Sequence, residues 1–404
     1  MDPQVPLKRL KEVERVCAQL ADDNLALRRC LQQVGVLRPE AIAAELHRLR
    51  FHRVCQRHPL GPALMLADVF TPEVLVAVEG FAGRYVCSAL APVSMSLSRI
   101  QEEASPLLPP LSRLYAIGGF NGQRGGRLSV VESYDPVANV WTSRRALSAA
   151  RDGLGAVALD GKVYAIGGSN SHYEAVDMAE SYDPRAGRWE LLAPLGTARR
   201  ALAVVELGGS VYALGGHDDA QTLSTLERYD PGLCLWEPLA SMPVARWYLA
   251  AVAFGGKLYA VGGADEDLSP LSTTECYDPA TDAWSTVARM PTARGALATA
   301  VLDDRIYALG GGDLLGPLNT VERYDPVADL WERVAPMPTA RCGISAAVAD
   351  RMVYVVGGNG DGFISIADDS KLDTVERYDP RANVWDTISA MPTARSHLAV
   401  VAIP

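Results

Sequence analysis

The sequence predicts an all-β wheel of six four-stranded antiparallel sheets, closed by the C-terminal strand and preceded by a small α-helical region. Three observations carry this reading. A Glu-x-Tyr-Asp-Pro word recurs six times, each with a Trp seven residues after the Tyr: Tyr134 with Trp141, Tyr182 with Trp189, Tyr229 with Trp236, Tyr277 with Trp284, Tyr324 with Trp331 and Tyr378 with Trp385. The tyrosines step by 48, 47, 48, 47 and 54 residues, and a near-constant period of this length marks a stacked or radial array. Finally, the chain ends on a first-strand pattern, Ser396 to Ile403, with no second strand after it. That segment fits as the innermost strand of the sheet begun at residue 112, which joins the ends of the ring and leaves six sheets rather than seven.

In chain order, residues 1–60 come first. Leu10, Val13, Cys17, Leu20, Asn24, Leu27, Leu31 and Val34 follow 3-4 spacing, so residues 7–34 read as a helix with a narrow coiled-coil seam. An Asn in such a seam favours paired parallel strands, so the helix either dimerises or packs on its own chain. A second helix opens at Pro39 and carries a basic face, read mainly as solvated. Residues 61–101 are apolar and read as short helices. The run Asp68-Val69-Phe70 … Val74-Leu75 … Val78 … Phe81 … Val86-Cys87 … Leu90 to Ser94 resembles a degenerate F-box, a helical module that docks a ubiquitin-ligase adaptor. The opening Leu-Pro of that module is absent, and some other docking segment fits as well. Residues 102–111, with Pro106, Pro109 and Pro110, read as a linker to the array at 112–404.

Each repeat holds four strand-like pieces: a small apolar run after an Arg, a Val-Tyr-Ala-Leu type run ending in Gly-Gly, the Glu-x-Tyr-Asp-Pro strand, and a strand beginning at the Trp. Short β-rich runs joined by tight turns make a meander. Sheets set radially bury their faces on one another and leave only short edges. The glycine pairs permit unusual backbone angles at strand ends. The Tyr and Trp rings supply large apolar area with a polar edge and belong in the core.

The Gly-Gly, Tyr and Trp at this spacing, with the Met-Pro-Thr-Ala-Arg step, resemble kelch repeats over residues 112–404. The resemblance implies a six-bladed β-propeller with one repeat per blade. It also implies that the Arg at this step and the residues past each glycine pair line a partner pocket. Antiparallel connectivity puts both sets on one face. The candidate partner-binding residues are therefore Arg151, Arg199, Arg246, Arg294, Arg341 and Arg395, with Phe120, Asn121, Asn170, His217, Asp218, Asp265, Asp313 and Asn359. A second role fits the arginines equally: pairing with the repeated Glu132, Glu180, Glu227, Glu275, Glu322 and Glu376, or with loop carbonyls. Residues after each Arg differ between repeats, and there Trp247 and Tyr248 are the one aromatic break, a hot-spot candidate. Residues 361–373 form an acidic insertion in the last repeat that either reaches over this face or makes an excursion from it.

Composition narrows the function classes. The chain of 404 residues carries a net charge of −10. Residues 1–60 hold eleven Lys/Arg against seven Asp/Glu, so residues 61–404 carry −14, which argues against nucleic-acid binding. No run of eighteen apolar residues reads as a membrane span, and the N-terminus lacks the apolar core of a secretory signal. Seven scattered cysteines suit a reducing compartment, cytoplasmic or nuclear. Enzyme chemistry has little support, since no metal-ligand spacing, nucleophile elbow or phosphate loop occurs. No metal or cofactor is expected. The expected function is a non-enzymatic adaptor binding a protein or peptide, with an acidic or carboxylate-bearing ligand suited to the guanidinium fork, and a ubiquitin-ligase substrate receptor as its specific version. The alternative is a kelch-fold enzyme of the copper-oxidase or sugar-mutarotase type.

Overall fold

The computed structural model describes residues 112–122, 126–361 and 370–403. The coiled-coil seam, the F-box-like segment, the linker and most of the 361–373 insertion lie outside them.

The described residues form six four-stranded antiparallel sheets. Blade 1 runs from Ala399–Ile403 at the hub through Arg113–Ile117 and Val131–Asp135 to Val140–Ser143 at the rim. Blade 2 begins with Gly155–Leu159, and the inner strands of blades 3 to 6 are Ala203–Leu207, Ala250–Phe254, Ala298–Leu302 and Ser345–Ala349. Each inner strand touches the next around the ring, and the strand of blade 6 touches that of blade 1. The chain end therefore closes the wheel, with Leu114 opposite Ala402 and Tyr115 opposite Val401. Blade 5 adds a small hairpin pairing Gly312–Asp313 with Gly316–Pro317.

Burial follows position in the blade. The second strands, such as Lys162–Ile166 and Arg305–Leu309, are buried at four consecutive residues. Both their faces meet neighbouring blades, so a continuous apolar run replaces alternation. Rim strands such as Ala283–Val287 are mostly exposed. Six apolar clusters lie between successive blades, each drawing on both.

The repeated rings do the work expected of them. In every blade the Tyr packs on its Trp with centroids 5.0–5.3 Å apart. The Nε1–H of each of these six Trp donates to a carbonyl of the preceding blade, as from Trp236 to Ala193 and from Trp141 back to Ser389. Each Trp thus ties its blade to the preceding one through a directed bond as well as apolar area.

The glycine pairs answer a specific demand. At Gly167 φ is +63°, and an added Cβ would lie 2.6 Å from the Arg199 carbonyl oxygen. Gly167→Ala is expected to destabilise the propeller by about 1–3 kcal/mol, through a left-handed backbone and a clash with a carbonyl that cannot move. Urea denaturation checks it, and an unchanged midpoint would contradict the strain.

Candidate functional site

The Arg step and the post-glycine loops do share one face, as connectivity requires. Arg200 and His217 bridge as antiparallel partners, as do Asp152 with Ser169 and Phe120 with Ser396. The six arginines do not line that face. Arg151, Arg199, Arg246, Arg294, Arg341 and Arg395 are 0% exposed, which corrects their assignment as contact residues.

Each arginine reaches into its own blade and pairs with the repeated Glu of the third strand. Arg151 meets Glu180 at 2.6 Å, Arg246 meets Glu275 at 2.9 Å, Arg294 meets Glu322 at 2.7 Å and Arg341 meets Glu376 at 2.5 Å. Arg199 pairs with Glu227 and Arg395 with Glu132. In blades 4 to 6 the contact is a close ion pair without hydrogen-bond alignment. Nη1 donates to the first glycine of the pair, as Arg151 does to the Gly167 carbonyl at 2.8 Å, and to the carbonyl just before the third strand, there Met178 at 3.0 Å. Burial pulls the guanidinium below its ordinary value, and the Glu partner opposes that shift. Meanwhile the Arg carbonyl accepts from the second glycine of the previous blade, as Arg199 does from Gly168. A buried charge needs a partner, and this fold supplies each guanidinium with a carboxylate.

The hub beyond the arginines is closed by backbone. Gly153, Ala201, Tyr248, Ala296, Gly343 and His397 each stand two residues past an Arg, and each has φ between 50° and 59°. Each N–H donates to the carbonyl of the equivalent residue in the previous blade, at 2.7–2.9 Å, and the sixth bond returns to the first. The left-handed conformation turns donor and acceptor around the axis. Above this annulus lies a shallow cavity of about 70 Å³, lined by the same residues and by Leu154, Leu202, Leu249, Leu297, Ile344 and Leu398. Tyr248 and His397 come from opposite blades, and their rings meet across it at 5.5 Å. Burial, then the charge of Asp152, pushes the Tyr248 hydroxyl up to about 12.

Kelch-motif models match residues 112–147 and 150–196, and the model described as the KLHDC2/KLHL20/DRC7 kelch-repeats domain matches residues 201–404. The chain belongs to the kelch-repeat family. A solved structure titled "Structure of YjhT" shares the fold at a TM-score of 0.54, with 17% identity over 62% of this chain and 87% of that one.

The remaining mouth residues of this kelch propeller divide in two. Phe120 and Asn359 are buried, which corrects their assignment as surface contacts. Asn121, Asn170, His217, Asp218, Asp265 and Asp313 are partly exposed. Several shape their own loops: Asn170 Oδ1 accepts from His172 and Glu174, Asp218 Oδ1 from Ala220 and Gln221, and Asp265 Oδ1 from Asp267 and Ser269. Trp247 and Tyr248 are partly exposed, with ring centroids 4.6 Å apart. The Trp247 Nε1–H donates to the Asp265 carbonyl, and His217 lies 5.0 Å from the Trp247 ring.

Sequence reasoning missed a polar cluster between blades 1 and 3. Arg127 pairs with Asp152 at 2.8 Å, donates to Ser169 and lies 3.9 Å above the Tyr173 ring. Arg200 pairs with Asp219 and donates to the Tyr173 carbonyl. Burial pushes the Asp152 carboxyl up despite Arg127 and Arg200 beside it. Arg127 escaped notice because its bridge partner Phe120 lies seven residues back, whereas the equivalent bridges span six residues from Ser169, five from His217 and twelve from Asn359. Unequal loops hide equivalent positions.

Among the described residues, no group of three or more His, Cys, Asp and Glu sits close enough to hold a metal ion. No helix among them is long and apolar enough to cross a membrane.

Proposed function

We propose that this kelch propeller is a protein-interaction module that captures a polypeptide partner on the Arg-step face, around the hub mouth. The observation that carries the reading is the contrast between frame and surface. The sixfold arginines and glycines serve the frame, while the exposed residues of that face differ from blade to blade. At the position after each Arg, Asp152, Arg200 and Trp247 are partly exposed and differ, whereas Gly295, Cys342 and Ser396 are buried. Repeated, buried residues cannot discriminate between partners, whereas variable exposed ones can. Trp247 and Tyr248 are the central anchor, because a rigid aromatic pair beside a hub gives large contact area at low entropy cost.

The hub cavity of about 70 Å³ is small beside the roughly 300–1,000 Å³ of small-molecule sites. That supports surface capture over enclosure of an oxidase or mutarotase substrate. In this reading Asn121, Asn170, His217, Asp218, Asp265 and Asp313 contribute to the contact face, and Arg151 through Arg395 support it from beneath. Residues 1–101 would join the captured client to other machinery by docking or pairing. The F-box resemblance supports a ubiquitin-ligase substrate receptor as the specific form. The thiols of Cys234 and Cys276, neither in a disulfide, support a reducing, cytoplasmic or nuclear setting.

Affinity capture with the full chain and its Trp247→Ala variant tests the reading. The variant is expected to bind the partner found with the wild type about thirtyfold more weakly, equivalent to about 2 kcal/mol, with an unchanged melting curve. A well-folded variant that retains the same partner at the same affinity would overturn the mouth as the contact site.

A further inference from the structure

The hairpin of blade 5 lifts Leu314 and Leu315 into solvent, 80% and 96% exposed. The fold does not need apolar residues there, since the turn is held by Asp313 Oδ1 accepting from the Leu315 and Gly316 N–H groups. On the adjoining blade 4 stand Trp247 and Tyr248. Exposed leucines and partly exposed aromatics on the same face of neighbouring blades are read together as an apolar docking strip.

In the second-to-third-strand loops around that strip the charge has one sign. The loops joining second to third strands in blades 2 to 5 are residues 169–178, 217–225, 264–273 and 312–320. They contain eight Asp or Glu and no Lys or Arg. Asp265, Glu266, Asp267 and Asp313 lie in blades 4 and 5, which carry the strip, and Asp218 lies in the adjoining blade 3. Burial pushes the Asp218 carboxyl up, but the Gln221 and Ala220 N–H groups outweigh it and hold the group below its ordinary value. Thr222 holds Glu266 down likewise, its N–H donating at 2.7 Å. The guanidiniums expected to oppose this field are buried and neutralised by their own glutamates, and Arg200 is matched by Asp219.

We propose that the mouth of blades 3 to 5 takes a basic polypeptide segment, one that sets an apolar side chain against Leu314, Leu315 and Trp247 and Lys or Arg side chains among Asp218, Asp265, Glu266 and Asp267. This rests on the mouth being the capture surface, and it reverses the acidic ligand expected from the sequence. Complementary charge steers encounter and selects partners, so an acidic segment is repelled from this sector. Nucleic acid is repelled for the same reason.

The test is peptide selection from a random dodecapeptide display library on the full chain. Selected peptides are expected to carry net positive charge with at least one Leu, Ile or Phe. A variant combining Asp218→Asn, Asp265→Asn, Glu266→Gln and Asp267→Asn keeps the turn-forming oxygens. It should bind those peptides about tenfold more weakly, and added salt should weaken wild-type binding similarly. Leu314→Ser with Leu315→Ser should remove the apolar preference and keep the charge preference. Acidic or neutral peptides that still depend on Trp247 would overturn the basic-segment proposal and leave mouth capture standing. Peptides indifferent to Trp247→Ala, or no enrichment at all, would overturn both.

Discussion

Deleting residues 395–404 is expected to abolish the cooperative unfolding transition of the propeller. The strand Ala399–Ile403 is the inner strand of blade 1, and it pairs along its length with Arg113–Ile117. Leu398 and Val400 lie in the cluster shared with blade 6, while Ala399, Val401 and Ile403 lie in the cluster shared with blade 2. Burial of Leu398, Val400, Val401 and Ile403 contributes about 6–12 kcal/mol together. That is comparable to the whole stability of an ordinary domain, about 5–15 kcal/mol. The deletion also opens the hub annulus at His397, leaves Glu132 without Arg395 and exposes a strand edge. Circular dichroism of the truncated chain should show no sharp melt. A synthetic peptide of residues 395–404 added in excess should restore one. A truncated chain that melts like the intact protein would place the closure elsewhere.

Arg151→Ala should cost about 3–5 kcal/mol, because it leaves Glu180 charged and 1% exposed with no counter-ion. The carbonyls of Gly167 and Met178 lose a donor as well. The double variant Arg151→Met with Glu180→Leu should lose less than either Arg151→Ala or Glu180→Ala alone, since it removes both charges and fills the space. Denaturant midpoints of the four chains decide it. A double variant as unstable as the sum of the singles would mean that the pair contributes through shape alone. The distinction bears on function: if these arginines hold the blades, substituting them will remove partner binding by unfolding the face rather than by removing a contact.

Much of the architecture was legible because the repeat is written in residues with single structural solutions. Gly-Gly, Tyr-Asp-Pro and Trp recur at fixed spacing, and each needs the same neighbour in every blade. The C-terminal closure was legible too, since a first-strand pattern without a successor has only one open edge to join. The annulus was not. Ala201, Tyr248, Ala296 and His397 adopt positive φ without being glycine, so nothing in their side chains announces it. The docking strip was hidden similarly, because Leu314 and Leu315 read in the sequence as ordinary apolar residues.

The sequence by itself determined the number of blades, their order, the core rings and which loops share a face, since these follow from periodicity and antiparallel connectivity. It also offered both fates for the sixfold arginine: contact ring or partner of the repeated glutamate. Only the tertiary structure decided between them. Whether a guanidinium faces solvent depends on the depth at which packed blades hold its Glu partner, and periodicity carries no information about depth. Once the pairs are buried, the charge of the second-to-third-strand loops is set by the residues left outside, and in blades 2 to 5 those are acidic.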